Sequence, residues 1–277
     1  MGLGQPNVSR YIAALEDHLQ TRLLHRSTRK LSLTPEGERY YADIRRILDA
    51  VDESESSFRN NVEPSGLLRV ACPTALAHAF VLPHVPTFLE CYPQLILDLQ
   101  LNDRYVDLVN EGTELAIRIG LLEDSALRAR RLGWYDRVFV ASKDYLAKRG
   151  VPKTPDDLRN HDCVIYTLLS SGATWRFRDT DIPVSGRFRV NSPDAVGTAV
   201  MAGLGVGHGP AWLFEDGLNS GRLQFILTDY AVPPVPVQIV YVANRLLPTR
   251  AIVFMDFMTD VFSRIPALNG NTPLPMM

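Results

Sequence analysis

The chain has 277 residues and a mass of 31.0 kDa, enough for two or three compact units. A net charge of −2 and a pI near 6.3 exclude a protein that coats nucleic acid through bulk charge, so any DNA contact must come from a local patch. No run reaches the ~18 apolar residues of a membrane span, and no basic start leads into an apolar core as in a signal peptide. Three widely spaced cysteines, Cys72, Cys91 and Cys163, form neither a CxxC pair nor a disulfide framework. The expectation is a cytoplasmic chain with no membrane association, no metal and no cofactor.

Residues 5–33 read as a helix, a turn and a small basic hairpin. Pro6 suits the first helical turn, where its missing N–H costs nothing. Val8, Ile12, Leu15 and Leu19 recur at helical spacing and define one face. The residues off that stripe are polar, of the kinds that reach base edges and phosphates in a major groove. Residues 1–30 carry five Lys/Arg (10, 22, 26, 29, 30) against two acids (16, 17), a local basic excess. The candidate DNA contacts are Gln5, Pro6, Asn7, Ser9 and Arg10 on the helix, with Arg26, Arg29 and Lys30 on the hairpin. The plainer reading is an amphipathic surface helix beside a solvated charge run.

Thr34-Pro35-Glu36 is a helix start: a capping hydroxyl, a proline at the first helical position, then an acid at the positive end of the dipole. Tyr40, Ile44, Ile47, Leu48, Val51 and Phe58 form a narrow apolar seam among charged residues. A seam of this width needs a partner helix. A second copy of the chain would supply it, and would also bring two reading helices to two half-sites. The alternative partner is the chain's own C-terminal body. Residues 60–66 read as a linker.

From Leu67 the pattern changes. Strands are expected at 67–72, 95–101, 115–119 and 136–142, and further on near 163–166, 175–177, 186–190 and 237–243. Helices are expected at 76–92, interrupted at Pro83 and Pro86, at 106–112, and near 193–202, 211–217 and 252–264. The alternation of strands and helices points to a parallel βαβ sheet. Ligands in such sheets bind beyond the carboxyl ends of strands. Thr74 and Ala75 open a helix after the first strand, where free N–H groups suit an anion, although Thr74 could equally serve only as a cap. Arg118 ends an otherwise apolar strand and must be paired or face the cleft. It suits a carboxylate, or a salt bridge to Asp103 or Glu123. His208 closes GLGVGH at a strand's carboxyl end, and is either a ligand donor or a satisfied structural histidine. The Gly203/Gly205/Gly207 spacing follows a helix and enters a strand, the reverse of a dinucleotide fingerprint. An enzyme built on Cys72 with His78 or His208 has no signature behind it, and GxSxG, HExxH and P-loop motifs are absent.

QPNVSRYIAALEDHLQTRLLHRSTRKLSLTPEGERYY (5–41) resembles the recognition helix, wing and linker entry of the LysR-type transcriptional regulators, through Gln5, Pro6, Val8, Ser9, Arg10, Ile12, Leu15, Glu16, Leu19, Leu24, Arg26, Leu33, Thr34, Gly37 and Glu38. Residues 107–120, 140–164 and 191–223 resemble the effector domain of the same family, so the similarity runs from Gln5 to about Arg264. In that family two further helices precede the recognition helix. Here Met1 to Gly4 stand before Gln5, with Gly4 at the usual capping position, so a truncated helix-turn-helix is expected. The resemblance implies an α/β chain: a winged helix-turn-helix remnant (1–34), a long linker and dimerisation helix (35–63), and a two-lobed periplasmic-binding-protein-like effector domain (64–277). Lobe one would take about 67–140 and 244–264, and lobe two about 141–243. It further implies a regulator that is not an enzyme. Its partners would be double-stranded promoter DNA, a small and anionic effector (a carboxylate), a second copy through the linker helix with a homotetramer as the larger assembly, and RNA polymerase. The alternatives are a solute-binding protein and a regulator fragment without autonomous DNA binding.

Overall fold

The computed structural model describes residues 5–26, 31–41, 43–44, 47–48, 63–109, 111–121, 126–169, 171–230, 232, 234–243 and 246–269. They fall into two compact units divided between residues 62 and 63.

In the first unit, α1 (Gln5–Leu19) leads into a hairpin of β1 (Leu24–Arg26) and β2 (Leu31–Leu33), with Leu24 opposite Leu33 and Arg26 opposite Leu31. Gln20 ends α1 in the left-handed region, φ 51°, and its side-chain amide donates to the Asp17 carbonyl at 2.6 Å. A second helix, α2, is helical at residues 35–41, 43–44 and 47–48. The Thr34 hydroxyl caps it by accepting the Gly37 N–H at 2.9 Å, as the Thr-Pro-Glu signal predicts. In the seam, Ile44 is half-buried and Ile47 and Leu48 are exposed, while Val51 and Phe58 lie outside the described residues.

The second unit begins with β3 (Gly66–Cys72) and a single helical turn, α3 (Thr74–Leu76). The chain then widens to a π turn over Ala77–Val81 and tightens to a 3₁₀ turn over Leu82–His84 before α4 (Val85–Cys91). Pro83 and Pro86 each withdraw an N–H from the ladder, which breaks the helix where the sequence places the interruption. Next come β4 (Leu95–Leu101), β5 (Leu115–Ile119) and β6 (Leu127–Tyr135). Residues 106–112, expected as a helix, form turns instead. One i to i+4 bond joins the Glu111 N–H to the Asp107 carbonyl, and Gly112 turns away at φ 64°.

After Asp136 the chain runs through β7 (Arg137–Ser142), α5 (Lys143–Arg149), β8 (Ile165–Tyr166), β9 (Thr174–Arg176), β10 (Asp181–Pro183), β11 (Arg189–Val190), α6 (Pro193–Met201), β12 (Gly207–Pro210), α7 (Glu215–Asn219) and β13 (Leu223–Ile226). It closes with β14 (Val235–Val242) and α8 (Thr249–Ser263).

Two main sheets result. The first is ordered β4-β3-β5-β14-β6 and the second β12-β7-β13. In the first, β3 is parallel to both β4 and β5, but β14 runs antiparallel to β5 and β6. The wholly parallel sheet expected from strand–helix alternation is therefore mixed, because β14 arrives from the second sheet rather than through a crossover helix. The chain crosses between the sheets at Asp136, near the expected limit of 140, and returns between Ile226 and Val235, so that all of β14, expected in lobe two up to 243, joins the first sheet.

Alternation along β3 sends Leu68, Val70 and Cys72 into a core shared with α4 and α8, while Ala71 meets Val106, Leu108 and Val240 on the other face. The second sheet is likewise covered twice, by Trp175 and Phe177 against Phe139 and by α6 and Phe214 against Val138 and Val140. A buried ion pair ties α8 to β5: Arg250 reaches Glu114 at 3.2 Å, and the other carboxylate oxygen of Glu114 accepts the Arg69 N–H at 2.9 Å. Trp212, on a turn of the second lobe, packs edge-on against Phe80 (5.0 Å) and Tyr135 (4.8 Å) of the first. No helix among the described residues is long and apolar enough to cross a membrane.

Candidate functional site

In the first unit, Ser9 and Arg10 are exposed, and the Arg10 guanidinium lies 5.6 Å from the Tyr11 ring centroid. Gln5, Pro6 and Asn7 are in the same first turns of α1 and Arg26 ends β1. Their side chains, with Arg29 and Lys30, lie outside the described residues. On the apolar stripe Ile12, Leu15 and Leu19 are half-buried and Val8 is exposed.

The hairpin is fixed to the helix by two residues that composition does not single out. Glu16 accepts the backbone N–H groups of Leu23 and Leu24 at 2.8 and 3.0 Å. Thr34 donates its hydroxyl to the Arg22 carbonyl at 2.7 Å, and its own N–H goes to the Leu23 carbonyl. Gly37 passes so close that a Cβ there would stand 2.0 Å from the Leu23 carbonyl oxygen. The result is a helix edge bearing Ser9 and Arg10 with a strand pair held at a set angle to it, a geometry suited to a groove and its flanking phosphates.

In the second unit the carboxyl ends of β3, β4 and β5 meet at Thr74, Asp103 and the turn after Ile119. The Thr74 N–H donates to Asp103 Oδ1 at 2.9 Å, so a carboxylate of the chain itself occupies the start of this short turn. Ala75 is buried beside it. Arg118 gives its guanidinium to the Val106 carbonyl at 2.7 Å and lies over the Tyr105 ring at 5.1 Å, while its Nε is buried with no hydrogen-bond partner. Among the described residues it makes no ion pair with Asp103, and Glu123 lies outside them.

Three tyrosines complete this end of the sheet. Burial, together with Asp103, Tyr135 and Tyr105, pushes the Tyr166 phenol far above its ordinary range, which brings a second-lobe hydroxyl into the field of three first-lobe groups. Tyr135 is buried and pushed up to about 12 by desolvation. Both stay neutral O–H donors at any physiological pH. Sequence reasoning missed them, although each sits at or just past a strand end, where such a search should look.

His208 is placed differently from the other candidates. It is the second residue of β12, not a strand end, and it stacks on Phe139 (4.4 Å, 11°) beside Trp175 (5.3 Å) inside the second lobe. Burial, reinforced by the Arg137 cation, lowers its pKa to about 3, and its Nε2 is buried without a hydrogen-bond partner. Thr74, Ala75 and Arg118 thus share one sheet end, and His208 stands apart in a core. Gly207 follows a packing need: a Cβ would stand 2.4 Å from Val200 Cγ2. Burial also pushes the Cys72 thiol well above its usual range, and Asp103 adds to the rise. A buried neutral thiol of this kind is no nucleophile.

Residues 1–38 match the family described as bacterial regulatory helix-turn-helix protein, lysR family, and residues 61–263 match the LysR substrate binding domain. The uncharacterized HTH-type transcriptional regulator YhjC of Escherichia coli is 35% identical over 272 residues, covering 94% of this chain and 89% of its own length. The HTH-type transcriptional activator AaeR of the same organism is 33% identical over 267 residues, covering 95% and 86%. Among solved structures, CrgA, a LysR-type transcriptional regulator from Neisseria meningitidis, aligns with a TM-score of 0.66 at 30% identity, covering 94% of this chain and 90% of that one.

Proposed function

This chain belongs to the LysR-type transcriptional regulators, with an effector-binding domain behind a DNA-reading unit, and from that premise we propose how its own residues divide the work. The reading unit (1–34) contacts double-stranded promoter DNA through Gln5, Pro6, Asn7, Ser9 and Arg10 in the major groove. Arg26, Arg29 and Lys30 on the hairpin touch phosphates. The observation that carries this reading is the exposed Ser9–Arg10 edge on a helix that Glu16 pins to a basic strand pair. The linker (35–63) joins two copies through its narrow seam. A homodimer is the basic unit, and a homotetramer and RNA polymerase are further partners.

The domain from 64 onward takes a small carboxylate between its lobes, with Thr74, Ala75 and Arg118 on one wall, the tyrosines at 105, 135 and 166 as neutral donors, and His208 behind the opposite wall. Asp103 at the Thr74 amide marks where a ligand carboxylate would compete. Closure of the lobes would change how two copies associate, and hence the spacing of paired reading helices on DNA. The protein works in the cytoplasm and is not an enzyme.

A salt-dependent gel shift on the adjacent intergenic DNA tests the reading role. Arg10→Ala should weaken specific binding by about 1–3 kcal/mol if it reads a base edge, and weaken all sequences alike if it touches phosphate. Binding unchanged in that variant removes Arg10 from the interface. For the cleft, a thermal-shift series with small carboxylates should give a stabilising ligand whose effect fades in Arg118→Ala. An unchanged shift removes Arg118 from the site.

A further inference from the structure

At the passage between the lobes the second lobe contains a cavity of about 270 Å³. Phe139, Phe225, Leu227, Tyr230 and Val232 supply an apolar and aromatic wall, and Arg137 is its cation. Arg137 opens β7 one residue after the chain leaves the first sheet, and is held half-buried there. Its Nε is fully buried and has no hydrogen-bond partner. Withdrawal from water lowers the pKa of the guanidinium from its ordinary value, and the nearby Arg176 cation lowers it further. Among the described residues this guanidinium makes no salt bridge with a carboxylate, although one normally accompanies a withdrawn arginine. Leu227 on the same wall is in the left-handed region at φ 54°, a conformation that side chains of its kind seldom adopt outside places the surroundings over-determine. Phe139, beside the cavity, is itself stacked on Phe177 and on the buried imidazole of His208.

We propose that this cavity is a second small-molecule site, distinct from the sheet-end cleft, that takes an aromatic carboxylate: the carboxylate on the Arg137 guanidinium, the ring against Leu227, Tyr230 and Val232. Such a ligand gives the guanidinium a counter-charge and fills the apolar wall with one rigid body. Asp136, also on the wall, offers an acceptor to a hydroxyl or ammonium group on the same ligand. The inference does not depend on the cleft reading, since none of Thr74, Ala75 and Arg118 lines this cavity.

The test is isothermal titration of the full chain with sodium benzoate and sodium phenylacetate, with benzyl alcohol as the uncharged control. One of the two carboxylates should bind saturably and the alcohol should not. Arg137→Gln should weaken binding at least tenfold. Thr228→Trp, at an exposed position on the same wall, should block the cavity without changing the melting temperature of the unliganded protein, so that lost binding there is not lost folding. Arg118→Ala and Thr74→Ala should leave the affinity unchanged. No saturable binding by either carboxylate overturns the proposal. Binding that survives both Arg137→Gln and Thr228→Trp but fails in Arg118→Ala also overturns it, and leaves the cleft reading standing.

Discussion

Sequence alone leaves His208 as either a ligand donor or a structural histidine, and its buried position gives it a measurable role of the second kind. Its folded pKa of about 3 lies below the ordinary value of 6.5, so the folded chain holds it neutral. As pH falls through 6.5 the unfolded chain takes up a proton that the folded chain refuses. Stability is therefore fully present above that point and is lost as pH falls toward 3, at roughly 1.4 kcal/mol per pH unit. By pH 5 the loss should reach about 2 kcal/mol. His161, held below its ordinary value by burial and by Arg149, contributes in the same sense. Urea unfolding at pH 7 and pH 5 reads the slope. His208→Phe, which keeps the stack on Phe139 and removes the titrating nitrogen, should flatten it by most of that amount, and an unchanged slope would assign the dependence elsewhere.

Among the elements, those with one dominant local cause were legible before folding. The 4-3-4 apolar spacing marks α1, the Thr-Pro-Glu triplet marks the start of α2, and Pro83 and Pro86 mark the break between β3 and β4. β6 was not legible. Arg128, Arg130 and Arg131 give it the look of a solvated loop, and only pairing with β14 at a sheet edge explains a charged strand. The turns at 106–112 failed the other way: apolar spacing suggested a helix, but Gly112 and the demand of packing against Ala71 and Ala116 ended it after one bond. The candidate site was partly legible for the same reason. Strand ends can be found from pattern, and Thr74 and Arg118 lie there. Which side chains of the other lobe come near them depends on contacts far apart in sequence, so Tyr166 could not be picked out.

The hairpin is an element whose angle depends on Glu16. Glu16→Ala removes the acceptor of two backbone N–H groups, and hydrogen bonds to a charged group contribute roughly 1.5–3 kcal/mol each. The variant should keep the helix, free the strand pair, and weaken the phosphate contacts proposed for the hairpin. In a gel shift the salt slope of binding should become shallower, and a slope equal to that of the unaltered chain would mean that the hairpin is held by other contacts.

For the molecule as a whole, one aromatic contact ties the lobes through named side chains. Trp212 is half-buried against Phe80 and Tyr135, with its indole N–H out of reach of any acceptor. Trp212→Ala should cost about 2 kcal/mol, less than the usual range for a fully buried tryptophan, and should let the lobes spread. Small-angle scattering of the domain should then show a larger radius of gyration, together with faster proteolysis between residues 226 and 235. An unchanged profile would mean that the lobes are held together elsewhere.

The two passages between the sheets are not at opposite corners. β6 leaves the first sheet at Tyr135, β14 enters it at Val235, and these two residues face each other across one antiparallel ladder. Both connections between the sheets thus lie side by side, as the two leaves of one hinge would. A door mounted this way turns on one line. Groups placed beside that line, Arg137 among them, hardly travel while the far rim sweeps widely, so a small displacement by a molecule lodged there is magnified into a large change of angle at the rim.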